Sequence, residues 1–91
     1  MAHVAHATHP EITKRLKRAE GHLRKVIGMI EAGRSCPELA QQLHAIEKAV
    51  AAAKKTLIHD HIDHCLAHAA TDGPSGARSA LDAFKDITKY L

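Results

Sequence analysis

Apolar residues return along the first third of the chain at steps of four and three: Ile12, Leu16, Ala19, Leu23, Val26 and Ile30. That spacing draws a single stripe along an α-helix. Thr8 with Glu11 three positions on reads as a capping box, Pro10 sits in the first turn where its missing amide costs nothing, and Gly33 ends the helix. Ser35 and Glu38 form a second box, with Pro37 again in the first turn, so a new helix begins beside Cys36. Leu39, Leu43, Ile46, Val50, Ala53 and Leu57 follow at alternating steps of four and three, and neither Gly nor Pro intervenes before Gly73 and Pro74. The pattern predicts a helix of more than about 30 residues, on the order of 50 Å long. Past a turn at Gly73–Gly76, Leu81, Phe84, Ile87 and Leu91 mark a short third helix packed on the second. Residues 1–8 carry no periodicity and read as a flexible tail.

A helix of that length cannot be covered by two short neighbours from its own chain, and a sustained heptad stripe requires a partner helix. The expected particle is therefore at least a dimer. Composition agrees with helix packing: 91 residues make one small domain, and 45% are apolar although Phe84 and Tyr90 are the only aromatic residues. The fold class expected is all-α, a three-helix subunit with a long central helix. No apolar run approaches the roughly 18–20 residues of a membrane span, and the first ten residues lack the zones of a signal peptide. A cytoplasmic protein without membrane contact is expected.

Nine histidines and two cysteines change the picture from packing to chemistry. In a histidine-rich chain of this kind the cysteines read more readily as thiolate ligands than as a disulfide. The densest segment is His59-Asp60-His61-Ile62-Asp63-His64-Cys65, with His68 a turn further on. His61 and Cys65, four apart, put an imidazole and a thiolate on one helix face within reach of a single ion. His61 also continues the Leu57 stripe, so a buried structural histidine is the alternative. Cys36 lies 25 residues before His61, about 38 Å along a straight helix. Two copies of the helix packed antiparallel would bring Cys36 of one subunit to His61 and Cys65 of the next, giving two equivalent sites per dimer. His22 and His44 are expected to be solvated or interfacial, and His59, His64 and His68 solvated with Asp60 and Asp63 as local hydrogen-bond partners.

The formal charge is +3, from 13 Lys/Arg against 10 Asp/Glu. It is clustered: Lys14, Arg15, Lys17, Arg18, Arg24 and Lys25 crowd the first helix, and Lys48, Lys54 and Lys55 lie midway along the second. A solvated face is the ordinary explanation, and no helix-turn-helix or zinc-finger pattern is present. No nucleophile, base and oxyanion arrangement is visible either, so an enzyme is not expected. Cys36 at a helix N-terminus lacks an acid-base partner. A metal-buffering protein without a DNA role would use the same histidines.

Cys36, His61 and Cys65, together with the basic run Lys14-Arg15-Leu16-Lys17-Arg18-Ala19-Glu20-Gly21 and the segment Gln41-Gln42-Leu43-His44-Ala45-Ile46, make the chain resemble the CsoR/RcnR family of metal-responsive bacterial repressors over nearly its whole length. The resemblance implies an antiparallel helix pair in the dimer, a homotetramer as the working unit, operator DNA bound by the apo form, and release of DNA by the metal. It points to Arg15, Arg18 and Lys55 as DNA contacts, with Lys14 and Lys17 in the same basic cluster. Copper(I) sensors of the family use the Cys36, His61 and Cys65 positions alone. They commonly add a tyrosine before the first cysteine and a glutamate in the third helix, where this chain has Ser35 and Leu81. Nickel and cobalt sensors recruit a fourth ligand from the tail, which here offers His3 with His6 in reserve. Two nitrogens and two thiolates suit Ni(II), Co(II) or Zn(II). A terminal amine on Ala2, were Met1 removed, would reinforce a planar chelate with His3. A formaldehyde-sensing branch relies on an N-terminal proline, and Ala2 stands in that place. The expectation is a repressor released by Ni(II) or Co(II) that controls metal efflux, with Cu(I) as the alternative effector.

Overall fold

A computed structural model describes residues 8–71 and 73–91, apart from the side chains at 68, 69 and 71. Three helices follow in order, α1 (His9–Glu31), α2 (Cys36–Thr71) and α3 (Gly73–Thr88), with no strand among the described residues. None of the described helices is long and apolar enough to cross a membrane. The tail expected over residues 1–8 lies outside the described residues except for Thr8.

The helix ends show how local chemistry sets the boundaries. Thr8 does occupy the N-cap of α1, but its backbone is already helical (φ −84°, ψ −17°) and its side chain makes no capping hydrogen bond. The expected Thr8–Glu11 box is therefore absent, since a capping side chain reaches the third amide only from an extended backbone. At the other end Gly33 takes φ +76°, its amide bonds the Ile30 carbonyl (3.0 Å), and the Arg34 amide bonds the Met29 carbonyl (3.0 Å). This is the paired closure that a left-handed residue after a helix permits, and glycine takes that conformation without a Cβ penalty. The Ser35–Glu38 box does form: the Glu38 amide donates to Ser35 Oγ (3.4 Å) while the Ser35 hydroxyl donates to Glu38 Oε1 (3.1 Å). The turn expected at Gly73–Gly76 is the first turn of α3 itself. Gly73 takes φ +68° and Pro74 falls where a helix tolerates it.

The chain divides into two compact units, one running to Lys54 and the other from Lys55 to Leu91. In the first, α1 and the first half of α2 run antiparallel: His22 meets Gln42, and Arg15, Arg18 and Ala19 share a groove with Ala49 and Ala52. Its core is Ile12, Val26, Ile46 and Ala53. Val26 is almost wholly buried, which at the usual area coefficient is worth about 1.5–3 kcal/mol. The expected stripe is only half covered, for Leu16, Leu23, Leu43 and Val50 each keep 44% of their surface exposed. In the second unit α3 folds back along the rest of α2, burying Ile58, Cys65, Gly76 and Ala80. The covered positions of α3 are small: Gly76 and Ala80 are buried and Ala83 half-buried. Leu81 and Phe84, which the periodicity assigned to the packed face, are instead exposed.

Candidate metal centre and basic face

Cys36 is the first residue of α2 and is exposed. Its position is fixed by the cap just before it, where Arg34 and Ser35 both hydrogen-bond the Glu38 carboxylate. Those two bonds, Arg34's first, hold the Glu38 carboxyl below its ordinary value. His61 and Cys65 sit in the second unit, one turn apart on α2, half-buried and buried respectively. His61 Nε2 lies 3.4 Å from the Ala83 carbonyl oxygen on α3. A carbonyl only accepts, so this bond requires the proton on Nε2 and leaves the Nδ1 lone pair for a ligand role. An imidazole oriented by a backbone carbonyl on its far nitrogen is the usual support of a metal-binding histidine.

No residue type in the sequence signals that support, for the third-helix place where copper sensors of the family have a glutamate is Leu81 here. Leu81 is exposed, and the carbonyl of Ala83 does the orienting instead. Ser35, in the place where copper sensors of the family commonly have a tyrosine, is committed to Glu38. Among the described residues no group of three His, Cys, Asp or Glu side chains is gathered within one chain. His3 and His6 lie outside the described residues.

The neighbouring histidines separate from this pair. His64 donates from Nδ1 to the Asp60 carbonyl (3.1 Å) and lies 3.5 Å from the Asp60 carboxylate. Asp60 is thus the local partner the sequence suggested, while His59 and Asp63 are exposed. His44 is exposed with Glu47 at 3.9 Å. His22, expected to be solvated or interfacial, is half-buried between helices and donates from Nε2 to Gln42 Oε1 at 2.6 Å, pinning α1 to α2. Such a bond across helices is invisible to spacing along one of them.

Lys14, Arg15, Lys17 and Arg18 are all exposed on α1, and Lys55 is exposed at the start of the second unit. Arg15 and Arg18 line an open groove of about 360 Å³ between α1 and α2, together with Glu11, Ala19, Ala49 and Ala52. Arg15 Nε stands 3.6 Å from Glu11 Oε1. Two guanidiniums over a floor of methyl groups suit an anion, and a phosphate above all.

The donor set and the basic groove can be set beside known proteins. A family model described as metal-sensitive transcriptional repressor matches residues 8–90. The copper-sensing transcriptional repressor CsoR of Bacillus subtilis (strain 168) is 38% identical over 81 residues, which are 87% of this chain and 80% of that protein. The copper-sensing transcriptional repressor RicR of Mycobacterium tuberculosis (strain ATCC 25618 / H37Rv) is 34% identical over 68 residues, 75% of this chain and 71% of its own length. Among solved structures, the nickel-responsive transcriptional regulator InrS superposes with a TM-score of 0.83 over 98% of both chains at 27% identity.

Proposed function

Since the chain belongs to the metal-sensitive transcriptional repressor family, the CsoR/RcnR family its residues resemble, we propose that its metal-free form holds operator DNA and that Ni(II) or Co(II) releases it, so controlling metal efflux from within the cytoplasm. This is a family of transcriptional repressors and not of enzymes. The observation that carries the metal reading is the His61–Ala83 bond, which leaves Nδ1 available to a ligand role one helical turn from Cys65. Cys36 of one subunit, His61 and Cys65 of the next, and His3 from the tail, with His6 in reserve, would hold the ion. Thiolates and imidazoles suit Ni(II) and Co(II), and Zn(II) would also bind in vitro. Such a site needs a homodimer at least, and a homotetramer would present four copies of Lys14, Arg15, Lys17, Arg18 and Lys55 to phosphates.

Release requires that the metal bind the DNA-free conformation more tightly, because a ligand indifferent to the two conformations shifts nothing. His61 is placed to couple them. It is tied to α3 through Ala83, so drawing the ring toward a ligand on another subunit would pull on the helix behind it. Cu(I) is the second reading, supported by the names of the Bacillus and Mycobacterium relatives. It needs only Cys36, His61 and Cys65, whereas the nickel reading also needs the tail.

An anaerobic Ni(II) titration of the reduced protein, followed by optical absorption, tests the proposal. Thiolate-to-nickel bands saturating at one ion per subunit, weakened by His3→Ala with His6→Ala, support nickel. Weak bands that never saturate, with a Cu(I) response indifferent to the tail, transfer the role to copper. A Cys36→Ala protein that still leaves DNA on adding metal would sink the site altogether.

A further inference from the structure

We propose that Glu11 is an internal competitor for DNA. It occupies Arg15 at the mouth of the α1–α2 groove, so that a backbone phosphate must displace it to seat between Arg15 and Arg18. The inference rests on the operator-binding reading and adds to it a residue that sets affinity.

The groove supplies the argument. Its lining contains two cations, Arg15 and Arg18, three alanines whose side chains are single methyl groups, and one carboxylate, that of Glu11. Alanine at 19, 49 and 52 lets a phosphodiester come close without meeting a bulkier side chain. Arg18 makes no ion pair among the described residues, whereas Arg15 faces Glu11 one turn away. At 3.6 Å from Nε the contact is an ion pair but too long for a good hydrogen bond. Both side chains are about half exposed, 45% and 56%. A pair of that kind is weak, screened by salt and readily exchanged. A phosphate offers Arg15 a bidentate partner instead, and Glu11 left beside it would repel the incoming charge.

The competing explanation is that Glu11, in the first turn of α1, merely favours the positive end of the helix dipole. The same helix contains the control. Glu20 and Arg24 form an i, i+4 pair at 3.7 Å, almost the same geometry, yet neither lines the groove. Glu11→Gln and Glu20→Gln remove equal formal charge from every subunit, so a general electrostatic effect would treat them alike.

The experiment is fluorescence anisotropy of a labelled mixed-sequence DNA duplex with the metal-free full chain, from low to physiological salt. Phosphate contacts are sequence-independent, so no operator is needed. Glu11→Gln is expected to tighten binding about two- to fivefold for each subunit in contact. That gain should shrink as salt rises, and Glu20→Gln should stay close to the unmodified protein. In an Ala49→Leu background, where a larger side chain fills the floor of the groove, binding weakens and the Glu11→Gln gain disappears. Circular dichroism of each variant reports the helix separately. Equal effects of the two glutamine variants, or a Glu11→Gln gain that survives Ala49→Leu, overturn the inference while leaving the DNA reading intact. Failure of the unmodified chain to bind duplex at low salt removes both.

Discussion

One carboxylate at the head of α2 answers to two donors, and its titration is the local handle on the helix that begins with Cys36. The Arg34 side chain and the Ser35 hydroxyl both bond Glu38, and with the nearby Arg34 charge they outweigh the opposing effect of desolvation. The folded chain thus prefers the ionised form more than the unfolded chain does. The resulting stability is fully present above the ordinary value of 4.5 and is lost as pH falls through the lower folded value. Glu38→Gln should therefore unfold at a lower temperature than the unmodified protein near neutral pH, and the difference should narrow as the solution is acidified below that value. Thermal melts of both proteins across the acid range check it, and a constant difference would assign the effect to packing. Cys36 adjoins this cap, so a frayed first turn also loosens a proposed ligand.

At the scale of the helix, a stripe repeating at three and four residues always contains two interleaved rows, and only packing decides which row its own chain covers. In α1 the row Ile12, Ala19 and Val26 turns inward while Leu16, Leu23 and Ile30 are exposed. In α2 Ile46 and Ala53 are buried and Leu43 and Val50 are half exposed. The rows should therefore respond differently. Ile46→Ala opens a cavity and is expected to cost about 2–5 kcal/mol at any protein concentration. Leu43→Ala should cost the isolated subunit less and act mainly where copies associate, so its melting temperature should depend more steeply on concentration. Melts at high and low concentration separate the two, and parallel shifts would place both rows in the subunit core. The helices themselves were legible because periodicity, Gly33, the Ser35–Glu38 box and the long run without Gly or Pro all agree. What stayed hidden has physical causes. Thr8 has the right side chain on the wrong backbone conformation. Gly73 and Pro74 serve a helix start as well as a turn. The Ala83 carbonyl belongs to the backbone and has no signature in residue type.

The molecule as a whole is expected to be completed by copies of itself, because the exposed row on α2 and the distribution of the proposed ligands call for the same partner. If Cys36 of one subunit lies beside His61 and Cys65 of another, two copies of α2 run antiparallel, and the midpoint of that pairing falls near Val50. Val50 then meets its own copy across the two-fold axis. An apolar residue with 44% of its surface open suits that place. Val50→Glu would set two carboxylates against each other in a contact that excludes water, which is costly for like charges. Because Val50 is not part of the core of its own subunit, the substituted chain should keep its helical circular dichroism. It should fall to a monomer by light scattering, and it should lose the saturating thiolate-to-metal bands although Cys36, His61 and Cys65 are all still present. A double substitution, Val50→Glu in one copy and Val50→Lys in a co-expressed second, should restore dimer and bands together, since opposite charges then face each other. Bands that persist in the Val50→Glu monomer would mean that one chain assembles the metal site by itself. Loss of the bands without dissociation would mean that the helices pair in another register. Recovery in the mixed dimer would tie the metal site to this antiparallel contact, through which metal occupancy and DNA release would then be coupled.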